Sequence, residues 1–180
     1  MARAALLPLL PALAASFRLI TFDLDDTLWP TGPVVKAANA ALADAVGAPA
    51  EDLQRRLQEA RSGATPPPSY SEARIRAVES WLRERDGESH GAVHRAEAEN
   101  MFELWLTERH AAASRLLFDG AAEAIAEVRR LHPDAVVGAI TNGRGDPLAM
   151  PELAPLFDWT VSAEHQDIYP KRKPAKEPFL

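Results

Sequence analysis

Two aspartates stand two positions apart where an apolar run ends, and this spacing predicts joint chemistry. Residues 19–22 (LITF) lead into Asp23, Leu24, Asp25 and Asp26. In an extended strand, the side chains of Asp23 and Asp25 point to the same side, about 6–7 Å apart. Two carboxylates so placed repel each other and attract a divalent cation between them. One carboxylate is also able to attack an electrophile while the other transfers a proton.

A second polar cluster follows a later apolar run, residues 135–140 (AVVGAI). Thr141, Asn142 and Gly143 offer a hydroxyl, an amide and a free backbone N–H to an anionic oxygen. Further along, Lys173 would supply a fixed positive charge. A nucleophile, a proton carrier, a metal and positive clamps are together the parts that phosphoryl transfer requires.

Each of these clusters also has a purely structural interpretation. Asp25 or Asp26 would serve as a cap for the next helix. The sequence at 141–143 (TNG) is also typical of an ordinary turn, and the basic run around Lys173 of a solvated surface. The chemical interpretation therefore depends on the clusters occurring together.

The elements that position these residues follow from the apolar pattern. Residues 19–22, 135–140 and, more weakly, 159–162 are predicted as strands, and continuous apolar strands are typical of a parallel sheet covered on both faces. The segment before the second strand predicts a helix whose apolar face contains Ala121, Ala124, Ile125, Val128 and Leu131. A helix closely followed by a buried strand indicates an open α/β sheet. Such sheets bind ligands at the carboxyl ends of their strands, where both polar clusters lie.

Between the first two strands, residues 34–113 show helical periodicity and no strand signal. We predict a helical cap there, an α/β core formed by residues 17–33 and 114–180, and an N-terminal extension over residues 1–16. An apolar stripe in the cap is expected to pack its interior, or in part to line a substrate pocket in which aromatic rings stack on a flat ligand. The stripe contains Trp81, Met101, Leu104 and Trp105.

Composition excludes several classes of function. The 180 residues include 20 lysines and arginines against 26 aspartates and glutamates, a net charge of −6 that argues against a nucleic-acid partner. The absence of cysteine excludes disulfides, thiolate zinc sites and cysteine nucleophiles. No run reaches the roughly 20 apolar residues of a membrane span, so no membrane partner is expected. Pro8 and Pro11 interrupt the weak signal-peptide pattern, which favours a cytoplasmic protein, or an organelle such as a plastid as the alternative.

Three segments resemble the motifs of the haloacid dehalogenase-like hydrolase superfamily. Residues 22–28 (FDLDDTL) resemble its first motif, DxDxT, and residues 140–143 (ITNG) resemble the second. Lys173 with Pro174, followed by Phe179, resembles the third, and all three occur in the family's order from about residue 17 onward. The resemblance implies a Rossmann-like, doubly wound parallel sheet with a helical cap inserted after the first motif.

The resemblance also implies roles for the motif residues. Asp23 would be the nucleophile that forms an aspartyl-phosphate, Asp25 the general acid and base, and Lys173 the stabiliser of charge. Mg²⁺ would be held by the two aspartates. The implied phosphate ligands are Thr27, Thr141, Asn142 and Gly143.

Asp25 indicates which branch of the superfamily the chain resembles. The dehalogenases keep the nucleophile but lack the second aspartate, because they have no leaving alcohol to protonate. The resemblance therefore implies a Mg²⁺-dependent phosphatase acting on a small phosphorylated metabolite. Residues 22–29 and 139–143 are most similar to the flavin-pathway subgroup, whose substrates are phosphoribitylamino-uracil and, for some members, flavin mononucleotide.

One departure from the family pattern leads to a competing expectation. The fourth motif, an acidic pair on a later strand, should follow Lys173 by some tens of residues, whereas this sequence ends at Leu180. We therefore expect a shortened chain with an incomplete core and an exposed apolar edge on the first strand. The alternative function is a catalytically inactive remnant that binds a partner or metabolite.

Two further patterns have plain interpretations. His90 and His94 are four residues apart, a spacing that suits zinc on a helix, but Gly91 interrupts that helix. We expect a solvent-exposed histidine pair. Residues 144–146 (RGD) spell an adhesion tripeptide, which we interpret as accidental because it lies beside the predicted site.

Overall fold

The computed structural model describes residues 17–87 and 91–180, which form a parallel three-stranded sheet with flanking helices. The strands are β1 (Leu19–Phe22), β2 (Val136–Thr141) and β3 (Trp159–Ser162), adjacent in that order. The predicted α/β class and parallel sheet are confirmed. The predicted N-terminal extension and His90 lie outside the described residues.

Five helices accompany the sheet in the described part of the chain. They are α1 (Thr31–Val46), α2 (Ala50–Arg61), α3 (Tyr70–Asp86), α4 (Gly91–Arg115) and α5 (Ala121–Leu131). The first four lie between β1 and β2 in the chain, where the apolar periodicity predicts a helical insertion. No helix in these ranges is long and apolar enough to cross a membrane.

Burial divides the apolar side chains between the sheet and the insertion. The cluster around the sheet contains Val137 and Ala139 of β2, and the other main cluster contains Ala38 of α1 and Trp105 of α4. Helices α1 and α4 contribute to both clusters, because Val34 at the start of α1 packs against the sheet. Helices α1 and α4 therefore take part in both clusters; below, α1–α4 are called the cap and the rest of the described chain the core.

Close packing in the central strand requires a glycine. Gly138 of β2 lies opposite Trp159 of β3 in the parallel register. A Cβ atom at position 138 would lie 2.1 Å from the Trp159 ring, which is far inside van der Waals contact. The glycine thus allows the indole to lie flat against β2 and sets the spacing of the site-bearing strands.

Two predicted apolar faces are less buried than expected. Leu19 is 57% exposed because β1 lies at an edge of the described sheet, so only one of its sides is paired. On α5, Ile125 is buried, whereas Leu131 is exposed because it is the last residue of the helix. The pattern identified these elements correctly but overestimated how far their ends are covered.

Candidate active site

Asp23, Asp25 and Thr141 meet at one edge of the sheet because β1 and β2 are parallel and end together. Asp23 directly follows β1, and Thr141 is the last residue of β2. Lys173 reaches this edge from the segment after β3, and its Nζ donates to Asp23 Oδ1 at 2.6 Å and to the Ile140 carbonyl oxygen at 2.6 Å. The structure thus joins residues 150 positions apart in an ion pair.

Asn142 holds the backbone of Lys173 in place. Its Oδ1 accepts from the Lys173 N–H at 2.8 Å, and its Nδ2 donates to the Lys173 carbonyl oxygen at 3.3 Å. An amide that uses its acceptor and its donor on one residue fixes that residue's position and orientation. Asn142 therefore positions the lysine.

Asp25 is held by two donors on one of its oxygens. Its Oδ1 accepts from Trp29 Nε1 at 3.0 Å and from Arg109 Nη2 at 2.5 Å. Arg109 comes from α4 of the cap and is only 2% exposed. Burial lowers the pKa of Arg109, and the charge of Asp25 acts in the opposite direction. The cap therefore contributes a buried cation to the site in the core.

The loop after β2 runs tightly against Asp25. The N–H of Gly143 donates to Thr141 Oγ1 at 3.0 Å, and Thr141 Oγ1 lies 3.5 Å from Asp25 Oδ2. A Cβ atom at position 143 would lie 2.2 Å from Asp25 Oδ2. Glycine is therefore required here for the close approach of a backbone to a carboxylate.

Two other motif residues, Asp26 and Thr27, lie in the turn between β1 and α1. Asp26, at φ 60°, accepts from the Thr31 N–H through Oδ1 at 2.8 Å and so stabilises the start of α1. Thr27 is exposed, and its backbone N–H donates to the Leu24 carbonyl oxygen at 3.1 Å. Asp26 therefore takes the capping role, and the assignment of Thr27 to phosphate binding stays a prediction.

A cavity of about 300 Å³ opens between the cap and the core beside Asp25. The core contributes Asp25, Asn142, Gly143, Arg144, Glu164 and Arg172 to its lining. The cap helices contribute Thr31, Val35, Tyr70, Arg74, Trp105 and Arg109. Trp105 also packs inside the cap, where its Nε1 donates to Asn39 Oδ1 at 2.8 Å. Trp105 therefore packs in the interior of the cap and also lines this cavity.

Sequence reasoning missed the arginines of the cap. Arg109 lies four residues after Trp105 and Arg74 four residues before Val78, so both occupy faces that periodicity assigns to the interior. An arginine on an apolar helical face is a signal that was available in the sequence. The sequence did not indicate that Asp25 is the partner of Arg109, because the two residues are separated by 84 positions.

The expectation of a solvent-exposed histidine pair is wrong for His94. This residue is 2% exposed and lies on the inner face of α4, four residues before the buried Ala98. Its Nε2 is 3.9 Å from Asp86 Oδ2. In the adhesion-like tripeptide, Gly145 is buried, Arg144 and Asp146 are partly buried, and Arg144 lines the cavity.

Magnesium has two candidate carboxylate ligands at this edge of the sheet, Asp23 and Asp25. Within residues 17–87 and 91–180, no group of three or more histidine, aspartate or glutamate side chains is arranged to hold a metal ion. Mg²⁺ keeps several waters and often takes only one or two protein carboxylates together with substrate phosphate, so this donor pair fits it. Each carboxylate already pairs with a cation, Lys173 or Arg109, which would have to share it with the metal.

Comparison with known proteins places the chain in a family. The profile of the haloacid dehalogenase-like hydrolases matches residues 17–180. The chain belongs to this hydrolase family. Its members are enzymes that hydrolyse phosphate esters or haloacids. No curated protein matches the sequence significantly.

Solved structures of family members share the fold. A 2-haloacid dehalogenase from Pseudomonas syringae pv. Tomato DC3000 is 28% identical with a TM-score of 0.68, over 91% of this chain and 70% of that protein. The HAD-hydrolase YfnB from Bacillus subtilis, in a structure bound to magnesium, is 22% identical with a TM-score of 0.51, over 91% and 69%. The α/β core with its inserted helices is therefore an arrangement common to the family.

Proposed function

We propose that this hydrolase is a phosphomonoester phosphatase that forms an aspartyl-phosphate on Asp23. The observation that carries the proposal is the pair Asp23 and Asp25 at one edge of the sheet, with Lys173 Nζ 2.6 Å from Asp23 Oδ1. A nucleophile, a proton carrier and a cation placed together are the groups that transfer of a phosphoryl group to a carboxylate requires.

The first half of the reaction transfers the phosphoryl group to the enzyme. Because Lys173 binds Oδ1 of Asp23, we assign the attack on phosphorus to Oδ2. The bond from phosphorus to the leaving oxygen breaks as the new bond forms, and Asp25 gives its proton to that oxygen. Trp29 and Arg109 both occupy Oδ1 of Asp25, so Oδ2 is the oxygen assigned to carry the proton.

The second half releases phosphate. Asp25 takes a proton from a water molecule, whose oxygen attacks the phosphorus of the aspartyl-phosphate and regenerates the Asp23 carboxylate. Lys173, the Thr141 hydroxyl and the Gly143 N–H are the donors assigned to the phosphate oxygens. Mg²⁺ held by Asp23 and Asp25 would neutralise charge on the phosphate when bound. The motif resemblance makes flavin-pathway phosphates the first substrates to assay.

A second candidate function is hydrolysis of a carbon–halogen bond. The similarity to the 2-haloacid dehalogenase favours it, since both chains share the fold at 28% identity. Asp23 would attack carbon, and halide would leave without needing a proton. Asp25 would then have no leaving alcohol to protonate. For this reason we favour the phosphatase over the dehalogenase.

The nucleophile assignment is tested by Asp23→Asn in the full chain. We expect hydrolysis of p-nitrophenyl phosphate in the presence of Mg²⁺ to fall by on the order of 10³-fold or more, because an amide cannot form the phosphoenzyme. Asp134→Asn, in the exposed turn after α5, is the matched control and should retain the rate. Intact-mass measurement after mixing with substrate should detect phosphorylated protein in the unaltered chain and none in Asp23→Asn.

The other outcomes distinguish the alternatives. Substantial turnover by Asp23→Asn would overturn the nucleophile assignment. Halide release from 2-haloacids, with no phosphate release from any ester, would identify a dehalogenase. If neither reaction occurs, the interpretation as a binding protein stands in place of the enzyme.

A further inference from the structure

The cavity between cap and core has more positive than negative side chains. Four arginines and two carboxylates line it. Both carboxylates are paired, Asp25 with Arg109 and Glu164 with Arg172. Among the described residues, Arg74 and Arg144 have no carboxylate at ion-pair distance.

Arg74 is the more enclosed of these two unpaired cations. It is 9% exposed, and the hydrogen bond recorded for its guanidinium runs from Nη1 to the Tyr70 carbonyl oxygen at 3.2 Å. Burial lowers the pKa of Arg74 to about 10, so the group still carries its charge at neutral pH. The charge of Glu164 acts in the opposite direction to burial, but no carboxylate of the described residues is at ion-pair distance from Arg74, and a ligand anion would compensate this buried cation.

Unsatisfied donors concentrate around the same cavity. In the described ranges, the buried side-chain atoms without a hydrogen-bond partner include Arg74 Nε, Arg109 Nη1, Arg172 Nε and Thr31 Oγ1. All four of these residues line the cavity. Guanidinium nitrogens are donors only, so the missing partners are acceptors, as an anion provides.

The aromatic rings of the cavity are engaged by protein groups. The Arg74 guanidinium lies 4.0 Å from the centre of the Trp105 ring, and Phe102 stacks on Trp105 at 5.6 Å. Arg61 lies 3.7 Å from the centre of the Tyr70 ring. These contacts compete with a flat ligand for the ring faces and hold Arg74 in place. The lining therefore favours a small charged group over a stacked ring system.

We infer that the substrate's leaving group carries a second anionic group, a carboxylate, which Arg74 binds while the phosphate lies at Asp23. This inference rests on the proposed phosphatase function and favours small phosphorylated carboxylic acids over the flavin-pathway phosphates that the motif resemblance implies. Arg74 provides a planar guanidinium fork, the geometry that matches a carboxylate. Asp25, the assigned proton carrier, and Arg74 both line the cavity, which provides space for the leaving group between them.

The test compares phosphate esters that differ only in the second charge. The series consists of phosphooxy carboxylates with one to four methylene groups, each against the alkyl phosphate of equal length, and flavin mononucleotide is included. We expect kcat/KM for at least one carboxylate to exceed that of its alkyl partner by about tenfold or more, as a buried charged hydrogen bond provides. Arg74→Gln should reduce this ratio to about one. Arg76→Gln, on the solvent side of α3 with its side chain 53% exposed, should leave the ratio intact.

Binding separates this inference from the proposed function. The phosphonate analogues of the same series are titrated into the full chain by calorimetry, with no turnover required. A preference for the carboxylated analogues that Arg74→Gln removes would support the anion site even in a chain that hydrolyses nothing. Equal binding and equal kcat/KM across every pair, a preference for flavin mononucleotide, or a carboxylate preference that survives Arg74→Gln would overturn it.

Arg74→Lys and melting curves distinguish loss of the anion site from loss of the fold. Because Arg74 is buried, melting curves accompany each variant, and lysine retains the charge while losing the planar fork. We expect Arg74→Lys to keep part of the carboxylate preference. A folded lysine variant with no preference beyond that of Arg74→Gln would contradict the part given to the charge of Arg74 in binding the carboxylate.

Discussion

At the scale of single residues, the distance between Gly143 and Asp25 controls the geometry of the site. Oδ1 of Asp25 is fixed by Trp29 and Arg109, so the carboxylate has little freedom to move away from the loop after β2. A methyl group on residue 143 would lie 2.2 Å from Oδ2, the oxygen assigned to carry the proton. Either the loop or the carboxylate must then shift.

Gly143→Ala should therefore impair turnover much more than folding. Displacing a reacting group by about 1 Å costs on the order of 10²-fold in rate, so we expect kcat to fall tenfold to 100-fold or thereabouts. Steady-state kinetics and a melting curve are measured side by side. Gly32→Ala is the control, because nothing lies within 4 Å of a Cβ at that position. An unchanged kcat in Gly143→Ala would contradict the role given to Asp25.

At the scale of elements, one carboxylate joins α5, β2 and β3. Asp158, just before β3, accepts from the Val137 N–H at 2.7 Å and from Arg129 Nη1 at 3.0 Å through Oδ2. Hydrogen bonds from Arg129, and then from the Val137 N–H, lower the pKa of Asp158. The ionised form is therefore favoured by folding. Its stabilisation is present above the ordinary pKa of about 3.9 and disappears as the pH falls through the lower folded value.

Asp158→Asn tests this linkage. At pH 7 we expect the free energy of unfolding to fall by roughly 0.5–1 kcal/mol, a modest value because the side chain is partly exposed and solvent screens the pair. The deficit should shrink as the pH is lowered from 7 to 2, because the native carboxylate takes up its proton as the pH falls through its lowered pKa. Urea unfolding of both proteins at the two pH values measures the difference, with Asp134→Asn as control. A deficit that is the same at both pH values would show that the charge of Asp158 is not its cause.

The elements also show what a sequence is able to predict. The runs LITF and WTVS predict β1 and β3 with the bounds that the structure has. Short runs with apolar residues are typical of strands in an α/β chain. The order of the motifs predicted that Lys173 belongs to the site, although the basic residues around it in the sequence are typical of a solvated surface. Arg109 was not predictable as a partner of Asp25, since that contact exists only once α4 is packed on the core.

At the scale of the whole molecule, the cap and the core share the site. Arg109 on α4 binds Asp25, and Arg74 on α3 lines the cavity that opens beside it. Because α1 and α4 continue from the cap cluster into the sheet cluster, a movement of the cap would change the position of Arg109. The proposed substrate recognition by the cap and the proposed proton transfer in the core would therefore depend on the same helices.

Glu164 makes a further polar contact between the two parts. It is 7% exposed, accepts from the Ser71 N–H at 2.9 Å and Ser71 Oγ at 3.1 Å, and pairs with Arg172. Ser71 belongs to the first turn of α3, so a single core carboxylate binds the start of a cap helix. Its removal leaves the Ser71 N–H without its acceptor and the Arg172 cation without its partner.

Glu164→Ala should thus loosen the cap as well as destabilise the fold. We expect the free energy of unfolding to fall by about 3 kcal/mol, as when one partner of a buried ion pair is lost. Hydrogen exchange should accelerate in the first turns of α3 while α5 keeps its protection. Glu177→Ala, which removes the partner of the exposed Lys171, is the control and should destabilise the fold far less than Glu164→Ala. If α3 and α5 lose protection equally, Glu164 supports the whole fold and does not hold the cap against the core.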